Sequence, residues 1–401
     1  MGPVTFALAL AYASLALLLV IASRRSDARG PRGREHWPDI DVVLPARNEE
    51  QRLPAALASL EQQDYPGGVT VWVVDDRSDD GTAGVVERAL ARSTRLRLVR
   101  VGASSRRLSP KVNAVARGVA AGSAAWIVTT DADCVHPTGW LRELMLSARE
   151  SDVMVLGYTE TARKGAARGL LANVEALDWV SLMLTNRALI SLGAVMASSA
   201  NNQAYRRDAF ERAGGFGVAG RAPSGDEDLL AQRLGRLPGA TVAFADTIEA
   251  RVATAPSRSW LAFLRQRRRW VSRYLHPQHY RPSFLSGIAL LGLHSLSLSI
   301  ATLTSPWWSS GHAWLLGAWS CVLLVVVPGM HLGLARLGRR DLSGWPVVTW
   351  AVLHPFVITI ASLWALLRPG SWRDGAEAYR LRAWRAWLRR VRRRRVSSEA
   401  R

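Results

Sequence analysis

Three short apolar runs in the first third of the chain each end in a burst of acidic or polar residues. Val42-Val43-Leu44 runs into Pro45-Ala46-Arg47-Asn48-Glu49-Glu50, and Val71-Trp72-Val73-Val74 into Asp75-Asp76-Arg77-Ser78-Asp79-Asp80-Gly81-Thr82. Ala124–Val128 leads into Thr129-Thr130-Asp131-Ala132-Asp133. Apolar runs of this length, with another over Leu96–Val101, read as buried strands. The segments between them, Glu50–Gln63, Ala83–Ala91 and Val112–Ala121, carry helical spacing. Strands alternating with helices imply βαβ units and a parallel sheet, and an open sheet of this kind gathers its ligand at the carboxyl edge. No G-x-G-x-x-G follows the first strand, which argues against a dinucleotide site.

Charge and hydropathy add a membrane to this picture. The net charge of +20 is almost entirely arginine, since Lys111 and Lys164 are the only lysines. A balance this basic fits nucleic acid or an anionic membrane surface. The arginines crowd beside apolar segments (Arg24–Arg34, Arg265–Arg273, Arg380–Arg395), and membrane flanks explain that better than a nucleic-acid-reading helix. Four stretches, Val4–Ile21, Phe284–Leu303, Ala313–Leu334 and Pro346–Leu367, approach the ~20 residues that cross a bilayer core. The first has no basic residue before it and several arginines after it, the reverse of a secretory signal, so residues 1–23 read as an anchor with a cytoplasmic basic linker at 24–36. Residues 284–334 then form a transmembrane hairpin. For 346–367, His354-Pro355 leaves a spanning and a re-entrant segment both open. Residues 379–395 place Leu381, Trp384, Trp387, Leu388 and Val391 at helical spacing, a cationic amphipathic tail suited to an anionic leaflet. The two cysteines, Cys134 and Cys321, call for no disulfide framework. The expectation is a multi-pass cell-membrane protein with its soluble body, 37–275, in the cytoplasm.

Taken with Gly225-Asp226-Glu227-Asp228 and Gln266-x-x-Arg269-Trp270, the three strand ends form a set of five motifs in one order. Over roughly residues 38–275 that set resembles the family 2 glycosyltransferases, which are inverting enzymes. The resemblance implies a GT-A-type α/β fold, a nucleotide-diphospho-sugar transferase domain, here with transmembrane helices at both ends. It implies transfer from a nucleoside diphosphate sugar, a UDP-sugar by preference, and the few membrane segments after the domain favour a membrane lipid acceptor over a translocated polymer. A processive polysaccharide synthase and a catalytically silent membrane scaffold on the same fold remain alternatives.

Each motif carries its own chemistry. A leaving diphosphate gains negative charge, which a divalent cation neutralises; hard carboxylate oxygens suit Mg²⁺ or Mn²⁺. Asp133, with Asp131 through water, is the expected metal site; the alternative is a pair of aspartates capping the helix near Pro137. By the resemblance, Asp76 accepts hydrogen bonds from the base or ribose, with Pro45, Ala46, Asn48 and Glu49 nearby, and Lys111 contacts the nucleotide. The inverting reaction needs a carboxylate base on the acceptor hydroxyl. Asp228 is the candidate, with Glu227 and Asp226 open as alternatives, and an acidic helix cap is compatible with either. Gln266, Arg269 and Trp270 are expected to close the acceptor site over the diphosphate, because a guanidinium forks onto phosphate oxygens and an indole offers an apolar face. Arg265, Arg267, Arg268 and Arg273 read as an ordinary basic membrane flank. In Ser198–Arg207, Asn202 is expected to line the pocket. The long apolar pattern Ala166–Leu192 reads equally as a core helix or as an interfacial one.

Overall fold

The structure, a computed structural model, describes residues 2–24, 33, 35–102, 105, 108–162, 169–217, 226–275, 280–308 and 310–369. The tail at 379–395 and nearly all of the basic linker lie outside these. The chain opens with helix α1 (Gly2–Arg24) and then alternates strand and helix: β1 (Ile40–Ala46), α2 (Leu53–Glu61), β2 (Val69–Asp75), α3 (Thr82–Leu90), β3 (Leu96–Arg100), α4 (Pro110–Ala121) and β4 (Trp126–Thr129). A short β5 (Cys134–Val135) and α5 (Trp140–Ser147) lead to β6 (Asp152–Gly157), β7 (Thr159–Thr161) and the long α6 (Leu170–Ser191). β8 (Gln203–Arg206), α7 (Arg207–Arg212), α8 (Asp226–Leu234), β9 (Thr241–Ala245) and β10 (Val252–Thr254) complete the α/β body.

Seven strands form one sheet in the order β3-β2-β1-β4-β8-β6-β9. β1, β2, β3 and β4 are parallel, and β8 runs antiparallel between β4 and β6. Strand residues alternate between two cores, as the pleat requires. Val42, Leu44, Val71 and Val73 face α2, α3 and α5, while Val43 and Val74 face α4, α7 and α8. Register pairs Ala46 with Asp75 and Val43 with Thr129, so the three acidic strand ends emerge at one edge. Sequence order reverses at β1 and β4, the position where open α/β sheets leave a crevice for a ligand. A second, three-stranded sheet has the order β5-β10-β7, and Thr254 of β10 reaches the cavity beside that crevice.

The acidic loops are laced to each other. Asn48 N–H donates to Ser78 Oγ at 3.1 Å, Asp79 N–H to Asn48 Oδ1 at 2.8 Å, and Glu49 N–H to Thr82 Oγ1 at 2.9 Å. Asn48 and Arg77 take left-handed backbone angles, φ 57° and 56°, an unfavourable conformation that tends to persist at sites of function.

α9 (Trp260–Ser272) leads from this body to α10 (Pro282–Thr304), α11 (His312–Arg336) and α12 (Trp345–Leu367). With α1, the last three are long and apolar enough to cross a membrane. α12 continues unbroken through Pro355 and packs on α9, α10, α11 and α6. The segment at 346–367 is thus one 23-residue helix, Trp345–Leu367. α6 shows the core-helix half of its two readings. It is a core helix, with Leu177, Val180 and Met183 buried, and it is packed between the sheet domain and α1, α11 and α12.

Candidate active site

One cavity of about 950 Å³ runs from the carboxyl edge of the sheet to the apolar helices. Pro45, Glu49, Lys111, Asp131, Asp133, Glu227, Asp228, Gln266, Arg269 and Trp270 all line it. Sequence positions more than 220 residues apart are thus brought to one wall, because β1, β4, α8 and α9 all deliver their ends there.

Its acidic corner is crowded. Lys111 Nζ lies 2.8 Å from Asp131 Oδ1, and Arg52 Nη1 lies 3.3 Å from Glu49 Oε2. Asp133 is pushed up to about 6, by burial first and then by Asp131 and Glu49, with Arg52 and Lys111 pulling the other way. Among the described residues no group of three ligating side chains is close enough to enclose an ion unaided. The donor set nevertheless suits a hard cation: two carboxylates offer oxygen ligands, and phosphates commonly supply more, as for Mg²⁺ at nucleotide sites. Mutual repulsion of the acids is what such a cation would relieve.

Across the cavity, Asp228 is fully buried. Its Oδ1 accepts from the Ser198 backbone N–H at 2.9 Å, and its Oδ2 lies 2.8 Å from Arg273 Nη1. The same guanidinium nitrogen reaches Glu227 Oε1 at 3.3 Å. Burial pushes the Asp228 carboxyl up to about 7, with Arg273 lowering it, Glu227 raising it and the Ser198 N–H lowering it. Between the two acid groups sits Arg269, which makes no ion pair within 4 Å among the described residues. Burial depresses its pKa, while Asp131, Glu227 and Asp133 act on it from a distance. A buried guanidinium held near carboxylates without pairing to them suits an anionic ligand.

Four predicted residues fall elsewhere. Ala46 is a buried strand end whose carbonyl accepts from Asp76 N–H at 2.9 Å, and Asn48 works as the loop brace described above. Asp76 lies beneath Arg77 (2.9 Å) and Arg47 (3.9 Å), of which Arg47 reaches the cavity wall. Asn202 is the clear correction. It is fully buried, accepts from Trp140 Nε1 at 2.9 Å, and donates to the carbonyls of Tyr158 (2.8 Å) and Ala250 (2.9 Å). Gly157 makes room for it, since a Cβ there would stand 2.3 Å from Asn202 Oδ1. Asn201, its neighbour, lines the cavity instead. Asn202→Ala is therefore expected to destabilise the fold by roughly 3 kcal/mol or more, because three buried groups lose their partner; thermal or denaturant unfolding measures it. Asp226 is the first residue of α8.

The basic flank is also corrected. Arg267 is buried, its Nε 2.7 Å from Asp178 Oδ2, and it stacks on Phe263 (4.4 Å) and Trp270 (4.1 Å). Asp178 Oδ1 accepts from Trp350 Nε1 at 2.8 Å and faces His354 Nδ1 at 3.0 Å. Against the upward push of burial, Arg267 and His354 hold the Asp178 carboxyl well below its usual range. Arg273 belongs to the Asp228 site rather than to a membrane flank. His136, bonded to Ser59 and Thr130 and pushed down to about 3 by burial, is structural.

Known proteins resemble this arrangement. Residues 41–214 match the family model of glycosyl transferase family 2. An N-acetylglucosaminyltransferase of Sinorhizobium fredii is 26% identical over 75% of this chain and 78% of its own length. One from Mesorhizobium japonicum is 27% identical over 45% of this chain, and the match spans only 42% of that relative. Among solved structures, a mannosyltransferase of Pyrobaculum calidifontis in complex with GDP-Man and Mn²⁺ superposes over 91% of this chain and 98% of its own, with a TM-score of 0.59 at 18% identity. The chain has the GT-A-type α/β fold of glycosyltransferases, and the family 2 match covers residues 41–214 of it.

Proposed function

We propose that this protein transfers a sugar, with inversion, from a nucleoside diphosphate, by preference a UDP-sugar, to a hydroxyl on a membrane lipid. The observation that carries the reading is the single cavity, whose one end is carboxylates and guanidinium and whose other end is Leu19, Leu184, Leu291 and Met330 of α1, α6, α10 and α11. A soluble sugar acceptor has no use for the second end. Relatives named as N-acetylglucosaminyltransferases and a neighbour in complex with GDP-Man and Mn²⁺ support the donor class and the cation.

In this reading Asp133 and Asp131 would hold a Mg²⁺ or Mn²⁺, which would supply Lewis-acid stabilisation of the departing diphosphate. Arg269 and Lys111 add positive charge on the same oxygens, and Gln266 and Trp270 frame the sugar beside them. Asp76 takes the base or ribose through Oδ2, which lacks a hydrogen bond among the described residues, once the nucleotide displaces Arg47. Asp228 removes the proton from the acceptor hydroxyl as that oxygen attacks the anomeric carbon opposite the diphosphate. A base tuned near neutrality fits an alcohol, whose proton must be taken; a phosphate acceptor is already ionised and needs none. α1, α10, α11 and α12 cross the cell membrane, and the sheet domain lies on the cytoplasmic side with Arg24 and Arg336.

The test is direct. Membranes containing the protein, given a panel of radiolabelled UDP- and GDP-sugars with Mg²⁺ or Mn²⁺, should pass label from one UDP-sugar into the organic extract as a single-sugar lipid. A ladder of products would favour a processive synthase. Label in neither lipid nor polymer from any donor would favour a silent scaffold.

A further inference from the structure

The apolar end of the cavity contains a polar spot. Tyr12, His294 and His354 stand near the middle of α1, α10 and α12, which pack side by side. Tyr12 and His294 stack at 4.5 Å and 9°. Both ring nitrogens of His294 and the hydroxyl of Ser295 are buried, and all three atoms lack a hydrogen-bond partner among the described residues. His294 is 1% and Ser295 0% exposed. Polar atoms left unpaired in a water-free interior cost about 1–3 kcal/mol each. Ionisable side chains at this depth in a membrane usually face a pathway or a ligand.

A void of about 10 Å³ adjoins His294 and Ser295, and Tyr12, Trp350 and His354 line both it and the large cavity. It is about the size of one water-sized group, so it admits a hydroxyl while the chain bearing it lies in the large cavity. A neutral imidazole offers one donor and one acceptor, and a serine hydroxyl offers both. That set complements a hydroxyl, which also gives and accepts. A charged group is disfavoured here, because Asp178 is already paired with Arg267 and no cation or anion lines the void.

We infer that His294 and Ser295 form a second polar subsite, which recognises a hydroxyl carried along the hydrocarbon chain of the acceptor, away from the hydroxyl that receives the sugar. The inference rests on the lipid-acceptor reading and narrows it to amphiphiles with two separated polar groups. The two alcohols have different roles: one is next to Asp228 and is glycosylated, while the other is bound within the membrane and unchanged.

The probes are octadecanol and a series of octadecanediols with one terminal hydroxyl and the second stepped along the chain. Binding to the full-length protein in nanodiscs is measured without donor, and sugar transfer is measured separately. One position of the second hydroxyl should bind about five- to tenfold tighter than octadecanol, the worth of a well-made hydrogen bond. His294→Leu and Ser295→Ala should each erase most of that advantage and leave octadecanol affinity unchanged. Equal or weaker binding of every diol to the wild-type protein would overturn the inference and leave the void to an ordered water. So would an advantage that survives both substitutions. Failure of octadecanol and all diols to bind or accept sugar would instead remove the lipid-acceptor reading, and the subsite with it. The wild-type series decides even if a variant folds poorly.

Discussion

Asp228→Asn should lower sugar transfer by about 10²–10⁴-fold, the usual worth of a positioned general base, and leave donor affinity within a few-fold of wild type. Asparagine keeps the size of the side chain and can still accept from the Ser198 N–H, but it cannot hold the proton of the acceptor hydroxyl. Arg273 retains Glu227 at 3.3 Å, so its charge is not left without a partner. Turnover under donor saturation and donor binding by titration separate the two effects. Because the Asp228 carboxyl is pushed up to about 7, the wild-type rate should rise with pH through that region as the proton leaves, and fall below it. Residual transfer in the variant should lose this dependence. Unchanged turnover in Asp228→Asn would remove Asp228 as the base and turn attention to Glu227, which shares Arg273.

What could be read from sequence and what could not divide along a physical line. The strand ends were legible because a buried parallel strand has to be apolar and its ligand edge has to be polar, and both show as local composition. Asp131 and Asp133 came with that logic, as did the four apolar helices, whereas Asp228 was singled out by the resemblance of its motif. Arg267 and Arg273 did not. An arginine beside a membrane helix satisfies the charge rule whether it faces water or a buried acid, and the partner of Arg267 lies 89 residues earlier. Asp178 itself sits inside a long apolar helical pattern, where nothing local marks it as an anchor for α9 and α12. Asn202 failed for a different reason. Residues 196–201 all line the cavity, and the chain then turns, with Asn202 N–H donating to the Ser199 carbonyl at 3.1 Å, so the next side chain enters the core. Asp76 shows the limit of a motif read without its loops, since the backbone at Arg77 folds a guanidinium back over the carboxylate that the motif singles out.

Asp133→Asn should have opposite effects on stability and on donor binding. In the metal-free protein the Asp133 carboxyl is crowded by burial, Asp131 and Glu49 and is raised to about 6. A carboxyl raised on folding favours the native state at low pH, and that contribution is lost as pH rises through about 6, where the group must ionise among like charges. At neutral pH the neutral amide avoids this cost, so the variant's unfolding temperature should match or exceed wild type. Metal-dependent donor binding should go the other way. Loss of groups that merely orient metal ligands costs about 10–100-fold in affinity, so loss of the ligand itself should cost at least about 100-fold. Protons compete with the cation for Asp133, so wild-type Mn²⁺-dependent donor affinity should fall as pH drops through about 6, and the variant's weak binding should be flat there. Calorimetric titration of a UDP-sugar with and without Mn²⁺, beside thermal unfolding of the metal-free protein, reads both. A variant that is less stable but binds donor and metal normally would make Asp133 a helix-capping residue, leaving the diphosphate to Arg269 and Lys111.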